Sequence, residues 1–204
     1  MIAERTARPD VDVLSDAATL AAAAAERIVD AVERAIASSG RCVIALSGGT
    51  TPRRTYEQLA REPLKSRVEW RSVHVIWGDE RCVAPDDADS NYHMAREALL
   101  EHVSVPAANI HRIHGEDDPA AAAARYEREL RTLLDTPNGA PSVAAGRRID
   151  LALLGLGDNG HTASLFPESV AIGETVRWVV AESVDAAPSW RITLTAPLLN
   201  AAAE

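Results

Sequence analysis

Apolar and polar positions follow two different periods along the chain. Apolar residues recur at helical spacing over residues 13–38, with acidic residues on the other face, and Gly40 ends this predicted helix. Further helices are predicted after Pro52, over 91–101 and 119–134, and from Pro197. Short apolar runs predict buried strands, at 41–46, 72–77, 149–154, 178–181 and 191–195, with another short strand at 110–113. Residues 135–148 contain Pro, Gly, Asn and Ser and predict an exposed loop.

The order of these elements predicts the fold class. Strands alternate with helices, which favours an α/β fold with a mostly parallel, Rossmann-like sheet and helices on both faces. The 204 residues suit a single domain. The chain stops just as the last predicted helix begins, so we expect this domain, 1–204, to be short at its C-terminal end.

The amino-acid composition argues against several classes of binding partner. A formal net charge of −9 argues against a nucleic-acid surface, because phosphate backbones require clustered Lys and Arg. No apolar run is long enough to cross a bilayer, and residues 1–10 lack the apolar segment of a signal peptide. Cys42 and Cys82 lack metal-ligand spacing and predict two reduced thiols in a cytoplasmic protein. The oligomeric state stays open.

Three polar segments follow strands of the predicted sheet, at the edge where open parallel sheets bind ligands. Ser47, Gly48, Gly49 and Thr50 follow the first strand, and a helix begins at once. Adjacent glycines let successive N–H groups point inward, and the helix adds its positive end, so this turn suits a phosphate. A tight turn without a ligand is the alternative.

The second segment is the charged triplet Asp79, Glu80 and Arg81, which follows Gly78 at the end of the second predicted strand. Arg81 is the natural anion partner, because its planar guanidinium matches phosphate oxygens. A solvated loop whose charges pair with each other is the alternative.

The third segment, residues 155–161, reads GLGDNGH and contains the G-x-G-x-x-G pattern of dinucleotide sites. A nicotinamide site requires a full helix after the third glycine, whereas Pro167 follows Gly160 by seven residues, so this alternative is disfavoured. His161 in this segment is a candidate general base. His111 and His114 lack a third ligand for zinc, and Ser47 lacks the G-x-S-x-G pattern of a serine nucleophile.

Together these segments resemble the 6-phosphogluconolactonase family. The matching stretches occur in the family's order: ALSGGTTP (45–52), WGDERCV (77–83), SNYHMAREALL (90–100), GLGDNGHTASLFP (155–167) and WRITLTAPLLNAA (190–202). Glucosamine-6-phosphate deaminases and ribose-5-phosphate isomerases are related in fold. The Asp79–Arg81 triplet and the residues after His161 favour the lactonase branch over the deaminases.

The resemblance implies a hydrolase that opens 6-phospho-D-glucono-1,5-lactone in the pentose phosphate pathway, without a metal or organic cofactor. It implies that His161 activates water, and that the substrate and its phosphate are bound by a set of residues: Ser47, Gly48, Gly49, Thr50, Asp79, Arg81 and Arg191.

This sequence departs from the family at two places. Asn159 stands where the family has Asp, so it orients His161 without adding charge. The family continues beyond the last residue here with a further strand and a Lys that helps to hold phosphate. Two alternatives stay open: a non-catalytic sugar-phosphate-binding protein, and a deaminase-like enzyme of the same fold.

Overall fold

The computed structural model describes residues 10–134, 148–185 and 189–204. The helices in these ranges are α1 (Ala17–Ser39), α2 (Thr50–Leu59), α3 (Leu64–Arg67), α4 (Asn91–Ala95, extended by a π-helical turn at Arg96–Leu100), α5 (Pro119–Leu133) and α6 (Ala196–Leu199). The strands are β1 (Cys42–Leu46), β2 (Val73–Trp77), β3 (Asp79–Arg81), β4 (Leu151–Ala152), β5 (Val179–Ser183) and β6 (Trp190–Leu194). In the described part of the chain, no helix is long and apolar enough to span a membrane.

Local sequence explains where the long helices begin and end. The Asp16 carboxylate caps α1 by accepting hydrogen bonds from the N–H groups of Ala18 and Thr19. Gly40 ends α1 in the left-handed conformation, at φ 79°, and its N–H donates to the Ile36 carbonyl. Pro119 occupies the first turn of α5, where its missing N–H costs nothing.

The strands form two sheets of opposite type. One is parallel, with the order β2-β1-β4, and the other is antiparallel, with the order β3-β6-β5. Gly78 alone separates β2 from β3, so the chain passes directly from one sheet to the other. The carboxyl end of β2 is thereby joined to the start of β3.

Two buried tyrosines fix the ends of the first two parallel strands. The Tyr56 hydroxyl accepts from the N–H of Ser47 and donates to its carbonyl, at 3.0 and 2.9 Å. The Tyr126 hydroxyl makes the same pair of contacts with Trp77, at 2.9 and 3.2 Å. Burial raises the pKa of both phenols above the ordinary tyrosine value. Each strand therefore ends with its backbone groups satisfied at the point where the chain leaves the sheet.

The predicted α/β class and the parallel sheet are confirmed. The strand-helix alternation did not predict that β3, β5 and β6 pair antiparallel: β3 pairs with β6 from a distant part of the sequence, whereas β5 and β6 are neighbours along the chain. Residues 79–81, which were predicted to follow the end of the second strand, form a strand of their own, β3, since β6 pairs with them.

Other element boundaries also differ from the prediction. The strand expected at 149–154 is reduced to β4, and that expected at 110–113 is a single parallel bridge from Ile110 to Val75. The loop predicted at 135–148 and the N-terminal segment 1–10 lie almost entirely outside the described residues.

Candidate active site

A cavity of about 420 Å³ lies where the three polar segments of the sequence meet. It lies beyond the carboxyl ends of β1 and β2, as expected for an open parallel sheet. Its lining comes from these segments, from the start of α4, from the residues just after His161 and from β6: Ser47, Gly48, Gly49, Asp79, Arg81, Asn91, Gly155, Leu156, Gly157, His161, Ala163, Ser164, Phe166 and Arg191.

The glycine-rich turn forms the floor beside α2. Gly49 is the residue before the helix and has φ 112°, a conformation that favours glycine. Gly48 is required for a different reason: a Cβ atom there would lie 1.8 Å from Oδ1 of Asn91. The Ser47 hydroxyl is buried without a hydrogen-bond partner among the described residues. Thr50 is exposed and does not line the cavity.

Asp79 is a buried carboxylate at the centre of a small polar network. Its Oδ2 accepts from the Ser164 hydroxyl at 2.7 Å, and its Oδ1 accepts from the Asn91 amide at 3.2 Å. Burial raises the pKa of Asp79, and the Ser164 hydrogen bond and the nearby Arg81 and Arg191 oppose that rise. Asp79 therefore fixes two cavity residues as well as facing the cavity itself.

Glu80 points away from the cavity and organises the segment that carries Asn91. Its carboxylate accepts from the N–H groups of Arg81, Asn91 and Tyr92 and from the Ser90 hydroxyl, at 2.7–3.1 Å. Burial raises the pKa of this carboxyl, and the three backbone hydrogen bonds act in the opposite direction. Since Glu80 holds the start of α4, it also fixes where the Asn91 amide meets Asp79.

Two arginines from neighbouring strands supply positive charge. Arg81 on β3 is paired in register with Arg191 on β6, so both guanidinium groups come from one position of the antiparallel sheet. Within the described residues, the Nε atom of each is buried without a hydrogen-bond partner. Burial and the charge of Arg81 lower the pKa of Arg191. Two adjacent guanidinium groups with unsatisfied N–H donors favour binding of an anion.

His161 lines the cavity from the loop after β4. Its Nδ1 is 2.6 Å from Oδ1 of Asn159, and its own N–H also donates to that oxygen, at 3.3 Å. With Oδ1 of Asn159 accepting from both groups, Nδ1 carries the proton of the neutral imidazole. This tautomer leaves Nε2 as the proton acceptor.

Most residues predicted for the site share this cavity, and two do not line it. Asn159 contacts the imidazole from outside the lining, and Thr50 faces solvent at the start of α2. Sequence reasoning assigned no role to Asn91, Ser164 or Phe166. All three fall within the stretches that resemble the 6-phosphogluconolactonase family, and this was the only signal that could have singled them out.

No cluster of three or more His, Cys, Asp or Glu side chains that could hold a metal ion is present in residues 10–134, 148–185 and 189–204. Cys42 and Cys82 are both free.

Comparison with known proteins identifies the family. The sequence profile of the glucosamine-6-phosphate isomerases/6-phosphogluconolactonase family matches residues 15–204. The chain belongs to this family. Among curated members, the 6-phosphogluconolactonase of Nostoc sp. is 44% identical over 193 residues, which cover 94% of this chain and 76% of that protein. The 6-phosphogluconolactonase of Mycobacterium tuberculosis is 37% identical over 200 residues, which cover 95% of this chain and 78% of that protein.

Solved structures of family members have the same fold. The 6-phosphogluconolactonase from Trypanosoma cruzi superimposes with a TM-score of 0.81 at 33% identity, covering 96% of this chain and 77% of the other. The enzyme of that name from Trypanosoma brucei gives a TM-score of 0.80, also at 33% identity, with 96% and 79% covered. The predicted fold and family resemblance are therefore confirmed.

Proposed function

We propose that this chain is a 6-phosphogluconolactonase, which hydrolyses 6-phospho-D-glucono-1,5-lactone to 6-phosphogluconate with His161 as the general base. The observation that carries the proposal is that His161, whose Nδ1 is held by Asn159, lines the same cavity as Arg81 and Arg191. The names of the curated relatives support the same reaction. A cytoplasmic location is part of the proposal and is supported by the two free thiols.

The proton transfers follow from the tautomer of His161. Nε2 takes a proton from water as the water oxygen attacks the lactone carbonyl carbon. The tetrahedral intermediate then collapses, the bond to the ring oxygen breaks, and the imidazolium returns the proton to that oxygen. Asn159 holds Nδ1–H throughout, so the ring presents the same nitrogen to water and to the leaving oxygen. The reaction consumes one water molecule and forms one acid.

The anionic end of the substrate has matching donors. The Ser47 hydroxyl and the Nε atoms of Arg81 and Arg191 are buried without partners in the described part of the chain, and all three residues line the cavity. We assign the phosphate to this side, together with the N–H groups of Gly48 and Gly49 at the start of α2. A phosphate there satisfies donors that are otherwise buried and unpaired.

Thr50 and Asp79 have lesser parts in this proposal. Thr50 contributes its backbone N–H at the start of α2 rather than its exposed side chain. Asp79 carries negative charge and does not bind phosphate; it accepts a sugar hydroxyl and keeps Asn91 and Ser164 in place.

The test compares lactone decay with and without the protein. The lactone is generated in situ with glucose-6-phosphate dehydrogenase, and its loss is followed with the wild-type chain, with His161→Ala and with buffer. We expect acceleration over spontaneous hydrolysis that disappears in His161→Ala. His102→Ala is the matched control, because this exposed histidine does not line the cavity, and its ring contacts the Glu97 carbonyl; its replacement should not affect the rate.

The outcomes separate this function from the alternatives. Acceleration that survives in His161→Ala would remove His161 from the mechanism. Thermal stabilisation by 6-phosphogluconate without any acceleration would instead indicate a non-catalytic binding protein. Release of ammonia from glucosamine 6-phosphate would indicate a deaminase.

A further inference from the structure

A tight turn directly after His161 brings a phenyl ring against the imidazole. Thr162 and Leu165 pair antiparallel, with a hydrogen bond of 2.9 Å from the Leu165 N–H to the Thr162 carbonyl. Only two residues separate them, and Ala163 takes a positive φ of 47° to close the turn. His161 and Phe166 are the next pair outward, so their side chains become cross-strand neighbours.

The two rings are stacked. Their centroids are 4.4 Å apart and their planes differ by 26°. The imidazole also lies close to Gly157. A Cβ atom at Gly157 would be 2.1 Å from Cε1 of His161, so the ring occupies the space that a side chain there would need. The ring is therefore confined by Phe166, by Gly157 and by the oxygen of Asn159.

The turn that carries Phe166 is itself anchored to buried groups. The Ser164 hydroxyl donates to Asp79 at 2.7 Å, and the Ser164 N–H donates to the Thr193 hydroxyl at 3.2 Å. Ser164, Asp79 and Thr193 are all buried. Phe166 is therefore held from a fixed point on the antiparallel sheet, although its own ring is only half-buried.

We propose that Phe166 is a positioning residue for the reaction, and that its ring sets the plane of the His161 imidazole so that Nε2 points at the attacking water. This inference rests on the proposed function of His161. A hydrogen bond at Nδ1 fixes one atom of the ring, whereas the second side-chain torsion of histidine has a broad energy well. The stacked phenyl ring supplies the second constraint, because it resists tilting of the imidazole plane.

Steady-state kinetics of Phe166→Leu and Phe166→Tyr test this role. Leucine keeps an apolar side chain but offers no flat face, so we expect kcat to fall by about 10- to 100-fold with KM within two-fold of wild type. Tyrosine keeps the face and should recover most of kcat. A higher KM at unchanged kcat would overturn the proposal and make Phe166 a substrate-binding platform instead.

A binding measurement in a double mutant shows whether Phe166 acts through His161. In the His161→Ala background, which has no catalytic rate to lose, we expect Phe166→Leu to leave the thermal stabilisation by 6-phosphogluconate unchanged. A loss of that stabilisation would refute the proposal, since Phe166 would then contact the substrate independently of the imidazole. Urea unfolding of each variant shows whether the protein assayed is folded.

Nuclear magnetic resonance gives a measurement that does not depend on turnover. The chain has one Phe, so 4-fluorophenylalanine places a single fluorine label at position 166. We expect its resonance to move when His161 is replaced by Ala. We also expect the His161 Cε1–H resonance, identified by its absence in His161→Ala, to lose its ring-current shift in Phe166→Leu but not in Phe166→Tyr.

Unchanged resonances would mean that the rings do not stack in solution and would overturn the proposal. If the wild-type resonances show stacking but His161→Ala keeps full activity, the proposed function of His161 is wrong instead.

Discussion

Replacing Asn159 with Asp changes one atom next to the His161 ring and tests how much charge matters there. The side-chain oxygen lies 2.6 Å from Nδ1 of His161, so Asn159→Asp converts a neutral hydrogen bond to a charge-assisted one with little change of shape. A hydrogen bond to a charged group contributes about 1 kcal/mol more than a neutral one. Asn159 is exposed, and solvent screening reduces that gain to about 0.5–1 kcal/mol.

In the proposed mechanism, this free energy stabilises the imidazolium that forms as His161 deprotonates water. If the whole gain is expressed in the transition state, kcat rises by about two- to five-fold. Asn159→Leu removes the acceptor and the tautomer preference, and we expect it to lower kcat by at least about ten-fold.

The assay measures lactone decay above the spontaneous rate at fixed pH. Asp158→Asn is the matched control: it changes a charge at the adjacent exposed position, and no contact of Asp158 with the ring is present among the described residues. We expect this control within two-fold of wild type. The reasoning fails if Asn159→Asp is no faster than wild type and Asn159→Leu is no slower.

Two further predictions concern stability. Gly48→Ala should lower the free energy of unfolding by about 1–3 kcal/mol and reduce activity, because the new Cβ would overlap the Asn91 amide. Gly155→Ala is the control, since a Cβ there meets nothing within 4 Å. In urea unfolding, we expect it to change the free energy of unfolding by less than about 0.5 kcal/mol. The Arg112 hydrogen bonds lower the pKa of Glu116 to about 2, so its ion pair stabilises the fold above the ordinary carboxyl pKa and loses that effect as pH falls from about 5 to 2. Glu116→Gln should flatten this part of the stability profile by less than about 1 kcal/mol, and an unchanged acid slope would contradict the assignment.

The sequence identified those parts of the site that follow from local rules. Ser47, Gly48 and Gly49 come directly after a buried apolar run, so their place at a strand end follows from chain order. The position of His161 beside them was predicted in the same way, from a glycine-rich loop after a strand, and the residue lines the cavity. The side chain of Thr50 was misplaced, because the sequence does not show that it faces solvent from the first turn of α2.

The remaining parts depend on contacts between distant positions. Ser164 reaches Asp79 across 85 residues of sequence, and no local pattern marks either residue as half of a pair. Arg81 and Arg191 become neighbours only because β3 pairs with β6, in a sheet that the alternation of elements did not predict. The sequence assigned no role to Phe166, and its contact with His161 requires the two-residue turn at Ala163.

The tyrosines at the ends of β1 and β2 set an alkaline limit for this fold. Their hydroxyls donate to carbonyls only while protonated, and burial holds the pKa of both Tyr56 and Tyr126 above the ordinary value of about 10. Above that pH the unfolded chain releases two phenolic protons that the folded chain retains, so stability decreases as pH rises. Each tyrosine contributes about 1.4 kcal/mol per pH unit to that decrease. Tyrosinate absorbance from these two side chains should therefore appear together with unfolding, which makes it an optical signal for loss of the strand ends that carry the site.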